Sequence, residues 1–334
     1  LVTAALLSLG YSAHAQDQMS VRTNGLSLLT AITSALQHNP SILLQQKQVD
    51  ISQGSLQEIS GRFDWTLGSY AGLSEDARPI AEADRDDPLQ TKEDKTINQY
   101  AVGLEKQLRS GISVSPNVQF SQTDDRNEVN PNRDDSSVNF TVTVPLLKER
   151  GREATAGDEM AARATHEQSR FELLDTVAKS ILQTGQYYWN YAACAEELDI
   201  LIKTEDRARR LIEDVRKLIA ADQRPAADID QLEANLNDKT MQRIVREQLL
   251  IQAQHDLGMA MGLSYRDIDY LPRPTNTFPV FNMHHLDPDA CDESFLNAAC
   301  PRRPHYKAAQ QAEESARLLR NFARHGKRHQ LDLV

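Results

Sequence analysis

The spacing of apolar residues changes twice along the chain, dividing it into helix, strand and helix again. Leu28, Ala31, Ile32, Ala35 and Leu36 recur at intervals of three and four, which places them on one helical face. Asn39-Pro40 interrupts this pattern, and Pro40 suits the first turn of a second helix, where its missing N–H costs nothing. Leu43, Leu44, Val49, Ile51, Leu56 and Ile59 carry that second helix to about Arg62. From Phe63 the period becomes two, the mark of a strand. Phe63, Trp65 and Leu67 alternate with polar or small residues, and so do Tyr100, Val102 and Leu104, then Ile112, Val114, Val118 and Phe120, then Val138, Phe140, Val142, Val144 and Leu146. Four strands are expected, each with one apolar and one polar face.

Each alternating run is about ten residues, the length a tilted strand needs to cross a bilayer. A β-sandwich with one face on a core would give the same alternation, so the pattern alone leaves barrel and sandwich open. Residues 75–95 and 124–135 are too rich in Asp, Glu, Arg and Asn to bury, and read as surface loops. Ser110-Gly111 reads as a short turn. That mixture of long and short connections favours a barrel.

After Gly151 the helical period returns. Phe171, Leu174, Ala178, Ile181, Gly185, Tyr188, Ala192, Ala195, Leu198 and Ile202 form one stripe, which Leu211, Val215 and Leu218 continue. A proline-free helix from Arg152 to Ile219 would be roughly 100 Å long at 1.5 Å per residue. A turn from Ala220 to Pro225 ends it, and a second helix from Ala226 to Met261 returns as the other arm of an antiparallel coiled-coil hairpin with unequal arms. The helix from Pro40 to Arg62 has the length to cover the remainder of the longer arm. A proline-rich connector follows, and a helical pattern resumes from His305.

Composition sharpens this. The 334 residues carry a net charge of -11, which disfavours a phosphate-binding surface, and mean hydropathy is -0.54. The opening residues LVTAALLSLGYSAHA read as an apolar secretory segment ending in an Ala-x-Ala box at Ala13-His14-Ala15, which makes residues 1–15 a signal-peptide remnant; a short core helix is the alternative. Of the three cysteines, Cys291 and Cys300 lie close together in the connector and are candidates for a disulfide in an exported chain. Cys194 falls in a helical stripe. His284, His285, Cys291, Cys300 and His305 match no standard zinc spacing, and a disulfide with stray histidines is the better reading. No phosphate loop, nucleophile elbow or metalloprotease motif is present, so no cofactor and no enzymatic activity are expected.

The order of elements, together with AITSALQHNPSI (Ala31 to Ile42), Val144-Pro145-Leu146-Leu147, Ala227 to Ala234 (ADIDQLEA) and Met261-Gly262-Leu263, resembles the TolC-like outer-membrane efflux proteins. The resemblance runs from Leu26 to Val334. It implies a mainly α fold with a long antiparallel coiled-coil hairpin as periplasmic tunnel and transmembrane β-barrel strands, completed as a homotrimer. On this reading residues 26–62 are the N-terminal helices, 63–146 the barrel strands with extracellular loops and 152–262 the hairpin. Residues 263–304 are an equatorial connector, and 305–334 begin a second repeat.

The implied role is a passive export duct across the Gram-negative outer membrane, in tripartite efflux or type I secretion, with a periplasmic adaptor and an inner-membrane pump as partners. The periplasmic tip, with gate and adaptor docking, falls to Asp222, Arg224, Pro225, Asp228 and Asp230. Locally, Asp228 and Asp230 also read as an N-terminal cap of the return helix; in a trimer they would converge into an acidic ring. Asp222 stands where the family has glycine. Four strands also exceed the usual two per repeat. The competing reading is an exported periplasmic coiled-coil adaptor or scaffold without a pore.

Overall fold

A computed structural model describes residues 25–79, 92–125, 132–279 and 299–334. The signal-peptide segment, His284, His285 and Cys291 lie outside the described residues, while Cys300 is exposed. The elements are α1 (Leu28–His38), α2 (Pro40–Gly61), β1 (Thr66–Pro79), β2 (Lys92–Gln107), β3 (Ser113–Asp125), β4 (Asn132–Pro145), α3 (Arg152–Thr155), α4 (Gly157–Ala220), α5 (Asp228–Ala260), α6 (Tyr265–Ile268), α7 (Pro304–Gly326) and β5 (Asp332–Leu333). No helix among the described residues is long and apolar enough to cross a membrane. Two compact units emerge, Leu1–Gln48 with Phe171–Tyr306 and Val49–Arg170 with Lys307–Val334.

In the first unit, α4 and α5 form the antiparallel hairpin. Their ion pairs step backwards along α5 as they step forwards along α4: Glu197 with Arg246 (2.7 Å), Glu205 with Arg243 (2.7 Å), then Arg216 with Glu233 (2.8 Å). The core gathers Leu26, Ala31, Tyr188, Tyr191, Cys194, Ala253, Leu257, Met261 and Leu271. The buried Tyr188 hydroxyl donates to the Leu26 carbonyl (2.9 Å), so that polar atom does not go unpaired in the core.

Asn39-Pro40 is a joint between three helix ends. The Asn39 side chain accepts from the Ser41 N–H (2.9 Å), capping α2, and donates to the Ala260 carbonyl at the end of α5 (2.8 Å). Gly262 closes α5 with φ +74, its own N–H reaching the Met259 carbonyl and the Leu263 N–H the Gly258 carbonyl. This is a Schellman cap, in which the left-handed position favours glycine. A Cβ on Gly262 would also strike the His38 carbonyl, so two independent constraints select glycine.

In the second unit the sheet runs β1-β2-β3-β4-β5, all antiparallel. The first and last long runs share this sheet but do not pair. They sit at opposite edges of the four long strands, because each hairpin neighbour takes the adjacent place. Three expectations are corrected. Phe63 lies before β1, not in it, buried beneath the guanidinium groups of Arg62 (5.0 Å) and Arg109 (4.9 Å), a pairing available only once the β2–β3 turn is folded back. The polar runs expected as loops are in part strand, since β1 and β2 stay paired as far as Pro79 and Lys92, and β3 and β4 as far as Asp124 and Asn132. The predicted helix from Arg152 also breaks once, at Ala156.

Around the helical end of the sheet, α2 and α7 each run antiparallel to the start of α4. Ser52 meets His166 (3.1 Å) and Ser315 meets Thr165 (3.0 Å). Both helices open on proline and both lead within a few residues into a strand, α2 into β1 and α7 into β5 beside the end of β4 (Val144 opposite Leu333).

Candidate functional site

The sheet carries two chemically distinct faces. Following the register across β1 to β4, one face holds the rows Ser69–Val102–Val118–Val138 and Ala71–Tyr100–Phe120–Ser136. Leu67 opposite Leu104, Pro116 opposite Phe140 and Val114 opposite Val142 belong to it as well. Most of this face is uncovered: Leu67 is 69%, Val138 80% and Phe140 70% exposed, while Val114, Pro116 and Val142 are half-buried. The other face holds Gly68–Gly103–Asn117–Asn139, Tyr70–Ala101–Gln119–Ser137 and Gly72–Gln99–Ser121–Asp135. Amides, hydroxyls and glycines line it, with Asp135 its one charge in these three rows.

At the helical end, the apolar face is bounded by Trp65, whose ring lies 5.1 Å from the Lys106 ammonium. An amphipathic aromatic beside a cation is the usual boundary between hydrocarbon and headgroups. From the Lys106–Val114–Val142 row to the Leu73–Asn98–Gln122–Asp134 row is eight residues, ~27 Å along a strand and ~20 Å once tilted as in a barrel. That is close to the ~25 Å apolar band of outer-membrane barrels. Pro116, in a central strand, falls where the β2–β3 pairing skips from Gly103–Asn117 to Lys106–Val114, so its missing N–H leaves no broken bond elsewhere.

Arg109, in the β2–β3 turn, grips the first turns of α4. Its guanidinium donates to both Glu159 oxygens (2.7 and 3.1 Å), and this hydrogen bond holds the Glu159 carboxyl below its usual range despite burial. Sequence inspection did not single out this pair, since its members are fifty residues apart and neither stands in a motif.

At the far end of the first unit, the hairpin tip closes by a second Schellman cap. The Asp222 N–H donates to the Ile219 carbonyl and the Gln223 N–H to the Leu218 carbonyl, with Asp222 at φ +61. Asp222 therefore occupies the left-handed position itself, which is why glycine suits this place. Asp228 and Asp230 do not cap α5 through their side chains. Ala227 is the N-cap, without a side-chain bond, and the two aspartates sit in the first turn, where charge alone favours the helix N-terminus. Arg224 faces Asp228 at 3.4 Å in an exposed ion pair, while Pro225 accepts the Asp228 N–H at its carbonyl. Asp230 points to solvent.

The helices of the first unit also leave apolar side chains uncovered: Leu174, Leu182 and Leu211 on α4, and Met241, Ile244, Val245 and Ile251 on α5. Two of these, Leu174 and Leu211, lie on the stripe that the sequence marks as a packing face.

No protein-family model matches the sequence, and no curated protein matches it. Solved structures do. The Campylobacter jejuni CmeC outer membrane channel superposes with a TM-score of 0.63 at 14% identity, over 89% of this chain and 52% of that one. The Vibrio cholerae outer membrane protein VceC gives 0.60 at 12% identity, over 89% and 58%. The open-state MtrE outer membrane channel of Neisseria gonorrhoeae gives 0.52 at 14% identity, over 89% and 54%. The chain spans a little over half the length of these proteins. With an antiparallel sheet followed by a long antiparallel helical hairpin, it has the fold of the TolC-like outer-membrane efflux channels.

Proposed function

We propose that the chain is a subunit of an outer-membrane channel of the tripartite efflux or type I secretion kind, a passive duct and not an enzyme. The observation that carries this reading is the uncovered sheet, apolar on one face and polar on the other over a membrane's depth. Hydrocarbon is the environment that makes such an exposed apolar face stable, and water in a lumen suits the opposite one. The open edges of β1 and β4 and the uncovered helix faces support assembly of several copies, as a homotrimer, with the sheets joined into one barrel and the hairpins into a tunnel.

Within this assembly residues 63–146 form the membrane barrel, 152–262 the periplasmic tunnel wall, 26–62 its upper part, and 263–304 an equatorial connector. Residues 305–334 begin a second repeat, an assignment supported by the likeness of α7–β5 to α2–β1. The tip residues Asp222, Arg224, Pro225, Asp228 and Asp230 serve as gate and adaptor contact, with an inner-membrane pump beyond. A disulfide between Cys291 and Cys300 would staple the connector. The site of action is the outer membrane of a Gram-negative cell, with a periplasmic extension.

The test is the full-length protein reconstituted in planar bilayers. Stepwise conductance and heat-modifiable migration on denaturing gels are expected. A soluble protein without either property would replace this reading with a periplasmic coiled-coil adaptor. Asp228→Ala should raise leak conductance by removing charge from the tip, and unchanged conductance would remove Asp228 from the gate.

A further inference from the structure

The sheet does not end where its apolar face ends. Beyond the Leu73–Asn98–Gln122–Asp134 row, β1 and β2 remain paired for six more residues, as far as Pro79 opposite Lys92, and β3 and β4 continue to Asp124 opposite Asn132. Over this stretch the two faces lose their difference. The face that was apolar now carries Glu75, Thr96 and Asp124 in one row. The other carries Asp76 opposite Lys95, and Arg133. Asp76 pairs with Arg78 at 2.8 Å and Asp135 with Arg133 at 3.0 Å, each pair two residues apart on one strand and so on one face.

Charge on both faces requires water on both faces. Hydrocarbon cannot cover Glu75 and Asp124, and no protein core covers the opposite side. The strands hold their form here through the backbone ladder, continued from a part of the sheet whose pairing is already fixed. An isolated polar hairpin of this kind would be marginal, and its continuity with the apolar section removes that cost.

We infer that this end of the sheet is an extramembrane collar, a hydrophilic prolongation of the barrel wall that rises ~15 Å beyond the bilayer along β1 and β2, from six residues at ~3.4 Å with barrel tilt, and ~5 Å along β3 and β4, from two. The inference rests on the membrane reading proposed above, since the opposite end of the sheet joins the helices assigned to the periplasm. Cargo leaves at a charged rim standing clear of the lipid headgroups, and the membrane-spanning section is confined to the part of the strands nearest the helices.

Single cysteines in the full-length protein, with its native cysteines replaced, test this on intact cells using a membrane-impermeant maleimide. Ala77→Cys and Glu75→Cys are placed in the collar, Leu67→Cys and Val118→Cys in the apolar band; each variant must retain heat-modifiable migration. Labelling of the collar pair at least about tenfold above the band pair, with the band pair shielded from the reagent by lipid until the membrane is dissolved, is the expected result. Protection of all four, reversed for all four on solubilisation, overturns the collar and leaves the membrane reading in place. Equal, strong labelling of all four in intact cells overturns the membrane reading itself.

Discussion

Val138→Arg and Asn139→Arg differ by one position but put the same charge on opposite faces of β4. Val138 lies midway along the apolar band, four residues from Val142 at one boundary and four from Asp134 at the other, in the row with Val118 and Val102. An arginine at the lipid-facing midplane of a barrel costs about 2–4 kcal/mol, so the equilibrium between inserted and unfolded protein should fall by about 30- to 700-fold at about 1.4 kcal/mol per decade. Asn139 stands on the opposite, polar face, exposed and across from Asn117, so a long side chain there faces water, and Asn139→Arg should stay within about 0.5 kcal/mol. The assay is urea-dependent folding of the full-length protein into lipid vesicles, read from heat-modifiable migration. Equal costs at the two positions, or a larger one at Asn139, would refute the assignment of the faces.

Gly262→Ala should destabilise by about 2–3 kcal/mol, from left-handed backbone strain plus the collision with the His38 carbonyl; in the same thermal melts Gly54→Ala, which meets no neighbour within helix α2, should be neutral or gain up to about 1 kcal/mol. Asp222→Gly relieves the strain of φ +61 and should raise stability by about 0.5 kcal/mol, and a loss in denaturant titration would contradict the left-handed cap. Glu205 accepts from Arg209 first, then Arg243 and Thr240, and these bonds hold its carboxyl below the usual range. A lowered folded pKa contributes stability above the ordinary carboxylate value near ~4.3 and loses it as pH falls through the lower folded value. Glu205→Gln should therefore cost about 1–2 kcal/mol at pH ~7 in urea titrations, with the gap to the unaltered protein closing towards pH ~3.

The likeness between α2–β1 and α7–β5 bears on how the sheet is completed. β5 occupies only the Val144–Pro145 end of the free edge of β4, and the rest of β4 is unpaired on that side among the described residues. Four long strands between α2 and α3, where the family resemblance implies two, make this sheet wide for its place in the chain.

What the sequence alone determined was whatever a residue's near neighbours decide. The change from period 3.6 to period 2 located the helices and strands, and strict alternation in Val138 to Val144 already separated an apolar face from a polar one. Asn39-Pro40 and Met261-Gly262-Leu263 marked helix ends for local reasons of capping and backbone sign. Tertiary structure decided the rest because the deciding partner was distant. That Asn39 holds Ala260 and Arg109 holds Glu159 depends on which chain segments meet, and neither spacing announces it. The strand continuing through Glu75 to Pro79 and Lys92 to Lys95 was read as loop for the same reason. A strand wetted on both faces has no apolar alternation to display, and only its pairing with a neighbouring strand, a property of the folded sheet, makes it one.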